Sequence, residues 1–134
     1  VDYALRGDLQ FAQYLPLQDA QGMTGPFRSG WIMDYPSIYN FLSPLYATSA
    51  LPPAGSNATF FSDPAFDAAL TEGNNAEDIE SATERYQAAE DILIDAMPAT
   101  PLFFGLNQAV WSDRVSDVKI DNRGNIILED VVVS

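Results

Sequence analysis

An acidic residue set among aromatic residues is the first feature of this sequence that suggests chemistry. Asp34 lies in the stretch Gly30–Pro36, between Trp31 and Tyr35. Aromatic surroundings lower the local dielectric, so a carboxylate placed there acts strongly on an incoming cation. The sequence therefore predicts that Asp34 recognises a positively charged group.

The residues before Asp34 are predicted to form a short β-strand that presents it. Alternate positions from Phe27 to Met33 can form two different faces, which is typical of a strand. Pro36 cannot donate to a β ladder and holds the residue before it in an extended conformation. The strand is therefore expected to end at the acid.

Structural interpretations of the same residues stay open beside the functional one. Asp34 can cap the turn from Tyr35 to Asn40, since acids commonly precede short helical turns. Trp31 belongs to a residue type that is found more often in cores and interfaces than in binding sites.

The composition excludes several classes of function. The 134 residues include six lysines and arginines against 19 aspartates and glutamates, which gives a net charge of −13. Nucleic acids and anionic lipids need clustered cations, so neither is an expected partner. The sequence has no cysteine and no histidine, which excludes serine–histidine and cysteine–histidine catalysis and disfavours zinc, iron and copper. No cofactor is predicted. No apolar run approaches the ~20 residues of a membrane span. The acidic excess indicates mainly a solubilising surface.

Capping residues and apolar spacing predict helices that surround this stretch. The predicted helices are a segment that begins at Asp8 and is limited by Pro16, one or two turns that begin at Ser37 and are kept short by Pro44, a helix opened by Ser62-Asp63-Pro64 and stopped at Gly73, and a long helix from Ala76 to Met97. Acids on the long helix are interpreted as a solvated outer face rather than as metal ligands. These acids are Glu84, Glu90, Asp91 and Asp95.

The rest of the sequence is predicted to form loops and strands. Ala47–Asn57 is a long irregular stretch, which fits either a binding loop or a disordered surface loop. The pattern Asn57-Ala58-Thr59 matches a glycosylation acceptor but is too short to carry weight. The predicted extended segments are Val1–Leu5, Pro101–Phe104, Gln108–Trp111, a hairpin from Val118 to Leu128 with Gly124 available for the left-handed position, and Val131–Val133.

Several short motifs, in their order along nearly the whole chain, resemble a known family. The motifs are Gly30–Pro36, Asn40-Phe41-Leu42, Phe61–Asp67, Arg85–Leu93 and Met97–Phe104. The chain resembles the C-terminal part of an extracellular solute-binding protein of the oligopeptide/dipeptide-binding type. Such proteins are the receptors of ABC importers.

This resemblance implies an α/β fold. The chain would form part of the second lobe of a periplasmic-binding-protein type II fold, with a mixed sheet and flanking helices. Residues 1–105 would be the C-terminal part of the second, ligand-binding lobe, and residues 106–134 would form the return crossing and strands of the first lobe. Family members are several times longer and close on their ligand, so the chain is expected to be a fragment.

The resemblance also implies a binding site. The strand Gly30–Ile32 would pair with an extended peptide backbone, and Asp34 would bind the α-ammonium group of the ligand. Trp31 would be an aromatic residue of the pocket. Ser37 and Ile38 stand where family members often carry a second acid or a proline, so the solute class stays open. The expected ligand-binding residues are Gly30, Trp31, Ile32 and Asp34.

The resemblance implies transport without catalysis. The expected partners are a peptide or another small solute and the permease subunits of an ABC importer. The intact protein would be extracytoplasmic, either periplasmic or a cell-surface lipoprotein. A fragment would expose apolar surface that the missing lobe covers, so self-association is also expected.

Two alternatives from other functional classes stay open. The first is a protein-interaction module whose acidic surface binds a basic partner with strong salt dependence. The second is a hydrolase in which Asp34 acts with Asp63 or Asp67, which requires two carboxylates about 5 to 9 Å apart in a cleft.

Overall fold

A computed structural model of the chain describes residues 7–103, 105–106, 108–121 and 123–133. The predicted extended segment Val1–Leu5 and the predicted strand residue Phe104 lie outside the described residues. The chain divides into two compact units, residues 1–100 and 101–134. The first unit is helical and the second contains a small two-stranded sheet, which is consistent with an α/β class.

The first unit contains four α-helices among its described residues. They are α1 (Phe11–Asp19), α2 (Tyr39–Tyr46), α3 (Pro64–Asn74) and α4 (Ile79–Ala96), with a 3-10 turn at Thr48–Ala50. None of the helices in the described part of the chain has the length and hydrophobicity that a membrane crossing needs.

Side-chain caps start both α3 and α4, and the predicted start of α3 is confirmed. Asp63 Oδ1 accepts the backbone N–H groups of Ala65 at 2.7 Å and Phe66 at 3.1 Å, and Pro64 is the first residue of α3. Asp78 Oδ1 caps α4 by accepting the Ser81 N–H at 2.7 Å. These bonds satisfy amide groups that a helix start leaves without intrahelical partners. The predicted start of the long helix at Ala76 is wrong, because α4 begins at Ile79, directly after its cap Asp78.

The first helix differs from its prediction at both ends. Its N-cap is Gln10, whose backbone N–H donates to Gln13 Oε1 at 3.0 Å, whereas Asp8 lies outside the helix. Pro16 lies inside α1 rather than at its end. A proline removes one intrahelical donor, and α1 continues past it to Asp19.

The core of the first unit lies between α2, α3 and α4. Its buried apolar residues are Leu42, Ala47, Ala50, Phe66, Leu70 and Ala89. The Phe66 ring is fully buried and meets the Phe61 ring edge-on, with centroids 5.5 Å apart. The acids predicted to lie on the outer face of α4 are all exposed, while Ile79, expected on its apolar face, is 86% exposed.

The long irregular stretch after α2 closes around a buried asparagine. Asn57 is fully buried, and its Nδ2 donates to the carbonyl oxygens of Ala47 at 3.1 Å and Phe61 at 2.8 Å. Its Oδ1 accepts the Thr59 hydroxyl at 2.8 Å. Both amide protons of Asn57 are thus engaged inside the fold, so the glycosylation pattern offers no accessible acceptor in the folded protein.

The prediction of a β-strand from Phe27 to Met33 is wrong. Within the described residues this segment belongs to no strand. It is held instead by a side chain of α1, because the Tyr14 hydroxyl donates to the Arg28 carbonyl oxygen. Period-2 polarity shows that a segment can be extended, but a strand also needs a neighbouring chain to pair with.

The second unit is organised around a hairpin. Ile120 and Ile126 form an antiparallel bridge, and Gly124 takes the left-handed conformation at φ 85°, which confirms the predicted turn. Asn122, within that turn, lies outside the described residues. The strands β1 (Val115–Ser116) and β2 (Val132–Val133) pair antiparallel, with Val115 opposite Val133, so the terminal β run is confirmed.

Other strand predictions for the second unit are wrong. Residues 108–111 form no strand, and Leu128–Asp130 is a 3-10 turn. Leu102 and Phe103 are 73% and 68% exposed rather than buried in a sheet. Instead of the expected mixed sheet, the sheet formed by the described residues is the antiparallel pair β1–β2.

Candidate functional site

One buried side chain connects the two principal candidate residues. Asn40 on α2 is 3% exposed. Its Oδ1 accepts the Trp31 indole Nε1–H at 3.1 Å and the Asp34 backbone N–H at 2.9 Å. Its Nδ2 donates to Asp34 Oδ2 at 3.3 Å. The structure therefore brings Trp31 and Asp34 together through a third residue.

The chain reaches Asn40 through a tight bend that starts α2. The Ser37 N–H donates to the Tyr35 carbonyl at 2.8 Å, and the Ser37 hydroxyl accepts the Tyr39 N–H at 3.2 Å. The Asn40 N–H then donates to the Ser37 carbonyl at 3.0 Å. These bonds fold residues 34–40 back on themselves, so the Asn40 side chain reaches Asp34.

The interpretation of Asp34 as a helix cap is wrong. The N-cap of α2 is Ile38, which forms no side-chain capping bond. The Asp34 carboxylate instead accepts a hydrogen bond from the side-chain amide of Asn40. Ser37, the expected cap, does accept the Tyr39 N–H, from one position before the N-cap.

The Asp34 carboxylate is more open to solvent than its aromatic neighbours suggested. Asp34 is exposed, Tyr35 is 45% exposed, and Trp31 is half-buried. The prediction that aromatic neighbours place Asp34 in a region of low dielectric is therefore wrong, because water screens an exposed charge. Any preference for a cation must come mainly from the position of the carboxylate rather than from desolvation.

A large cavity lies beside Trp31 in the first unit. Its volume is about 1530 Å³, and it lies between α1, the segment 22–31 and the loop that follows α2. Tyr14, Phe27 and Trp31 contribute aromatic groups to its lining. Ligand pockets typically have volumes of about 300–1,000 Å³ and mainly apolar walls, so the space is large enough for a small solute.

The remaining two candidate residues lie apart from the Asn40 contacts. Gly30 lines the cavity, and a Cβ built on it would meet no atom within 4 Å. Ile32 is 78% exposed and does not line the cavity. The described main chain of residues 30–32 forms no backbone hydrogen bond with another described residue.

Packing beneath α2 holds the site residue Asn40 in place. Leu42 of α2 belongs to the buried core, and Tyr39 packs against that core. The Tyr39 and Tyr86 rings have centroids 5.6 Å apart, and the Tyr86 hydroxyl donates to Asn74 Oδ1 at 2.8 Å. Burial raises the pKa of Tyr86 above its ordinary value, with smaller contributions from Tyr39 and Tyr35.

The two acids considered as catalytic partners of Asp34 have structural roles. Asp63 caps α3. The carboxylate of Asp67 accepts the Thr48 N–H at 3.0 Å at the start of the 3-10 turn. In the described part of the chain, no three acids come together as a potential metal site.

Asn40 is the site residue that sequence reasoning missed. The residues around it are apolar, with Ile38 and Tyr39 before it and Phe41 and Leu42 after it. A single amide among the apolar residues of a short helix indicates a buried polar contact, because a buried amide must find hydrogen-bond partners. The sequence does not show that these partners lie six and nine residues before it.

Comparison with known proteins adds sequence similarity to this geometry. No protein-family model matches the chain. The chain is 30% identical over 102 residues to the periplasmic murein peptide-binding protein MppA of Escherichia coli, covering 74% of this chain and 18% of that protein. It is 27% identical over 99 residues to the oligopeptide-binding protein OppA of Bacillus subtilis, covering 74% of this chain and 17% of that protein.

The chain thus spans less than a fifth of the length of these curated relatives. Both relatives are named as peptide-binding proteins, and neither name describes an enzyme. The similarity is therefore partial, and it favours binding over catalysis.

Proposed function

We propose that this chain is part of an extracytoplasmic solute-binding protein that captures peptides for an ABC importer. The observation that carries the proposal is the joint placement of Trp31 and Asp34 by Asn40. The partial similarity to two peptide-binding proteins supports the same role. In this proposal residues 1–105 belong to the ligand-binding lobe and residues 106–134 to the crossing and the other lobe.

Asp34 is proposed to bind the α-ammonium group of the peptide. A carboxylate and an ammonium group form a charge-assisted hydrogen bond, which is about twice as strong as a neutral one. Asp34 Oδ2 is engaged by Asn40, which leaves Oδ1 for the ligand. Trp31 would pack beside the first residues of the peptide, since it also lines the adjacent cavity.

The main chain of Gly30–Ile32 is proposed to pair with the peptide backbone. Its amide and carbonyl groups form no hydrogen bond with other described main-chain groups, so they are suited to β-augmentation. Main-chain pairing provides affinity without regard to side chains, while the ammonium contact sets the direction of the peptide. Binding would then favour a closed state that is presented to the permease.

The site predicts that affinity depends on a free amino terminus. We expect the full-length protein to bind trialanine more tightly than N-acetyl-trialanine, with the ratio measured by isothermal titration calorimetry. Asp34→Asn should reduce this ratio about tenfold, or about 1.4 kcal/mol. This value lies at the low end for hydrogen bonds to charged groups, because Asp34 is exposed.

A matched control separates a local contact from the overall charge of the protein. Asp91→Asn removes one exposed acid from α4, and it should leave the ratio unchanged. A ratio within twofold of wild type in Asp34→Asn would refute the ammonium site. Equal affinity for both peptides with steep salt dependence would instead favour the acidic interaction module.

A further inference from the structure

We propose that Asn40 is the positioning residue of the ammonium site, fixing the Asp34 carboxylate and the Trp31 indole in one arrangement. This inference rests on the proposed function of Asp34. The ligand class is a small solute with a primary ammonium group.

The orientation of the Asn40 carboxamide is determined by its partners. Two N–H groups point at its oxygen, from the Trp31 ring and the Asp34 main chain. Its nitrogen then faces Asp34 Oδ2 and donates to it. The three contacts therefore agree on one orientation of the Asn40 carboxamide.

This arrangement limits the freedom of an otherwise exposed carboxylate. An exposed aspartate samples several rotamers, and each must be abandoned when a ligand binds in one geometry. Asn40 engages both the main chain and the carboxylate of Asp34, so it selects a conformation before the ligand arrives. Pre-organisation of this kind raises affinity by reducing the entropy lost on binding.

The same contacts couple the site to the core. Asn40 is 3% exposed on a helix whose Leu42 is 4% exposed and belongs to the buried cluster. The indole of Trp31 is tied to the same carboxamide oxygen as the Asp34 amide. Trp31 and Asp34 therefore keep their spacing without a β ladder.

Substitution of Asn40 tests the inference in the full-length protein. Asn40→Leu removes all three contacts at similar size, and Asn40→Gln keeps the carboxamide but displaces it by one methylene group. In both variants we expect the affinity ratio of trialanine to N-acetyl-trialanine to fall about tenfold. The acetylated peptide has no ammonium group and should lose less affinity than trialanine, whereas a merely destabilised protein would lose affinity for both peptides alike.

Two further variants make each outcome decisive. Thr59→Ala removes hydrogen bonds to Asn57 and Phe61 in the same unit and contacts neither Trp31 nor Asp34, so it should keep the wild-type ratio. If Asp34→Asn leaves the ratio unchanged, the proposed function fails and the inference fails with it. If Asp34→Asn lowers the ratio but a folded Asn40 variant keeps it within twofold of wild type, only the positioning role is overturned. Should Asn40→Leu fail to fold, Asn40→Gln decides the question.

Discussion

Replacing Asn57 with alanine should destabilise the first unit far more than its place in a loop suggests. Its side chain donates to the Ala47 and Phe61 carbonyl oxygens and accepts from Thr59. Each such bond contributes about 0.5–1.5 kcal/mol net, and a buried group left without a partner costs about 1–3 kcal/mol.

The contacts around Asn57 narrow the expected loss of stability in Asn57→Ala. The Ala47 oxygen keeps the Ala50 N–H as a donor at 3.0 Å, so it is not left unsatisfied. The Phe61 oxygen loses its Asn57 donor, and the vacated volume leaves a small cavity in a fully buried site. We therefore expect Asn57→Ala to lower the free energy of unfolding by about 2–4 kcal/mol.

Urea unfolding followed by far-ultraviolet circular dichroism measures this loss, with the m-value checked for constancy. Asn75→Ala is the control, since Asn75 is exposed and its side chain donates to the Thr71 carbonyl at 2.9 Å. It should cost at most about 0.5 kcal/mol. Combining Asn57→Ala with Thr59→Ala should give a coupling of at least about 0.5 kcal/mol. A loss below about 1 kcal/mol for Asn57→Ala would refute the view that this amide organises the loop.

Two further predictions concern a close helix contact and an acid in the hairpin turn. Gly73→Ala should lower the free energy of unfolding by about 1–2 kcal/mol, because the new Cβ would clash with the Tyr86 ring. The pKa of Asp121 is lowered chiefly by the Asn125 backbone N–H at 2.8 Å. A lowered pKa in the folded state gives stability above the ordinary aspartate pKa of about 3.9. This contribution is lost as the pH falls through the lowered value. The Asn125 amide resonance, followed from about pH 6 to 2, measures the pKa of Asp121 in the folded protein.

Each of these two predictions has a matched control in the same unit. Gly25→Ala places its Cβ where no atom lies within 4 Å, so its stability should stay at the wild-type value. Equal stability of the Gly73 and Gly25 variants would show that the Tyr86 ring moves aside without cost. For the turn, Asp113→Asn changes an exposed acid elsewhere and should leave the Asn125 titration intact. A midpoint at or above the ordinary aspartate pKa would contradict the assigned cause.

The sequence predicts correctly those helix starts and turns that depend only on residues close to one another in the chain. Asp63 followed by Pro64 fixes the start of α3 within three residues, and the turn around Gly124 needs only a left-handed position. A strand at Phe27–Met33 would have needed a neighbouring chain to pair with, and an alternating pattern carries no information about whether such a neighbour exists.

The buried polar residues were harder to predict for a related reason. Asn40 and Asn57 look like ordinary loop or helix-end residues in sequence, yet both are buried. Asparagine is mostly exposed in proteins, so burial is expected only where partners exist. Those partners become visible only when the chain has folded back on itself.

The site illustrates how a side chain can replace a sheet as a support. A β ladder would have fixed Asp34 through its own main chain and that of its neighbours, with one hydrogen bond to each group. Here one carboxamide contacts the Asp34 main chain, the Asp34 carboxylate and the Trp31 ring. Because that carboxamide is carried by a helix packed in the core, its position is as well defined as the core itself. In the proposed site, the exposed carboxylate would owe its role to geometry, and a solvated acid held in this way would favour one direction of approach.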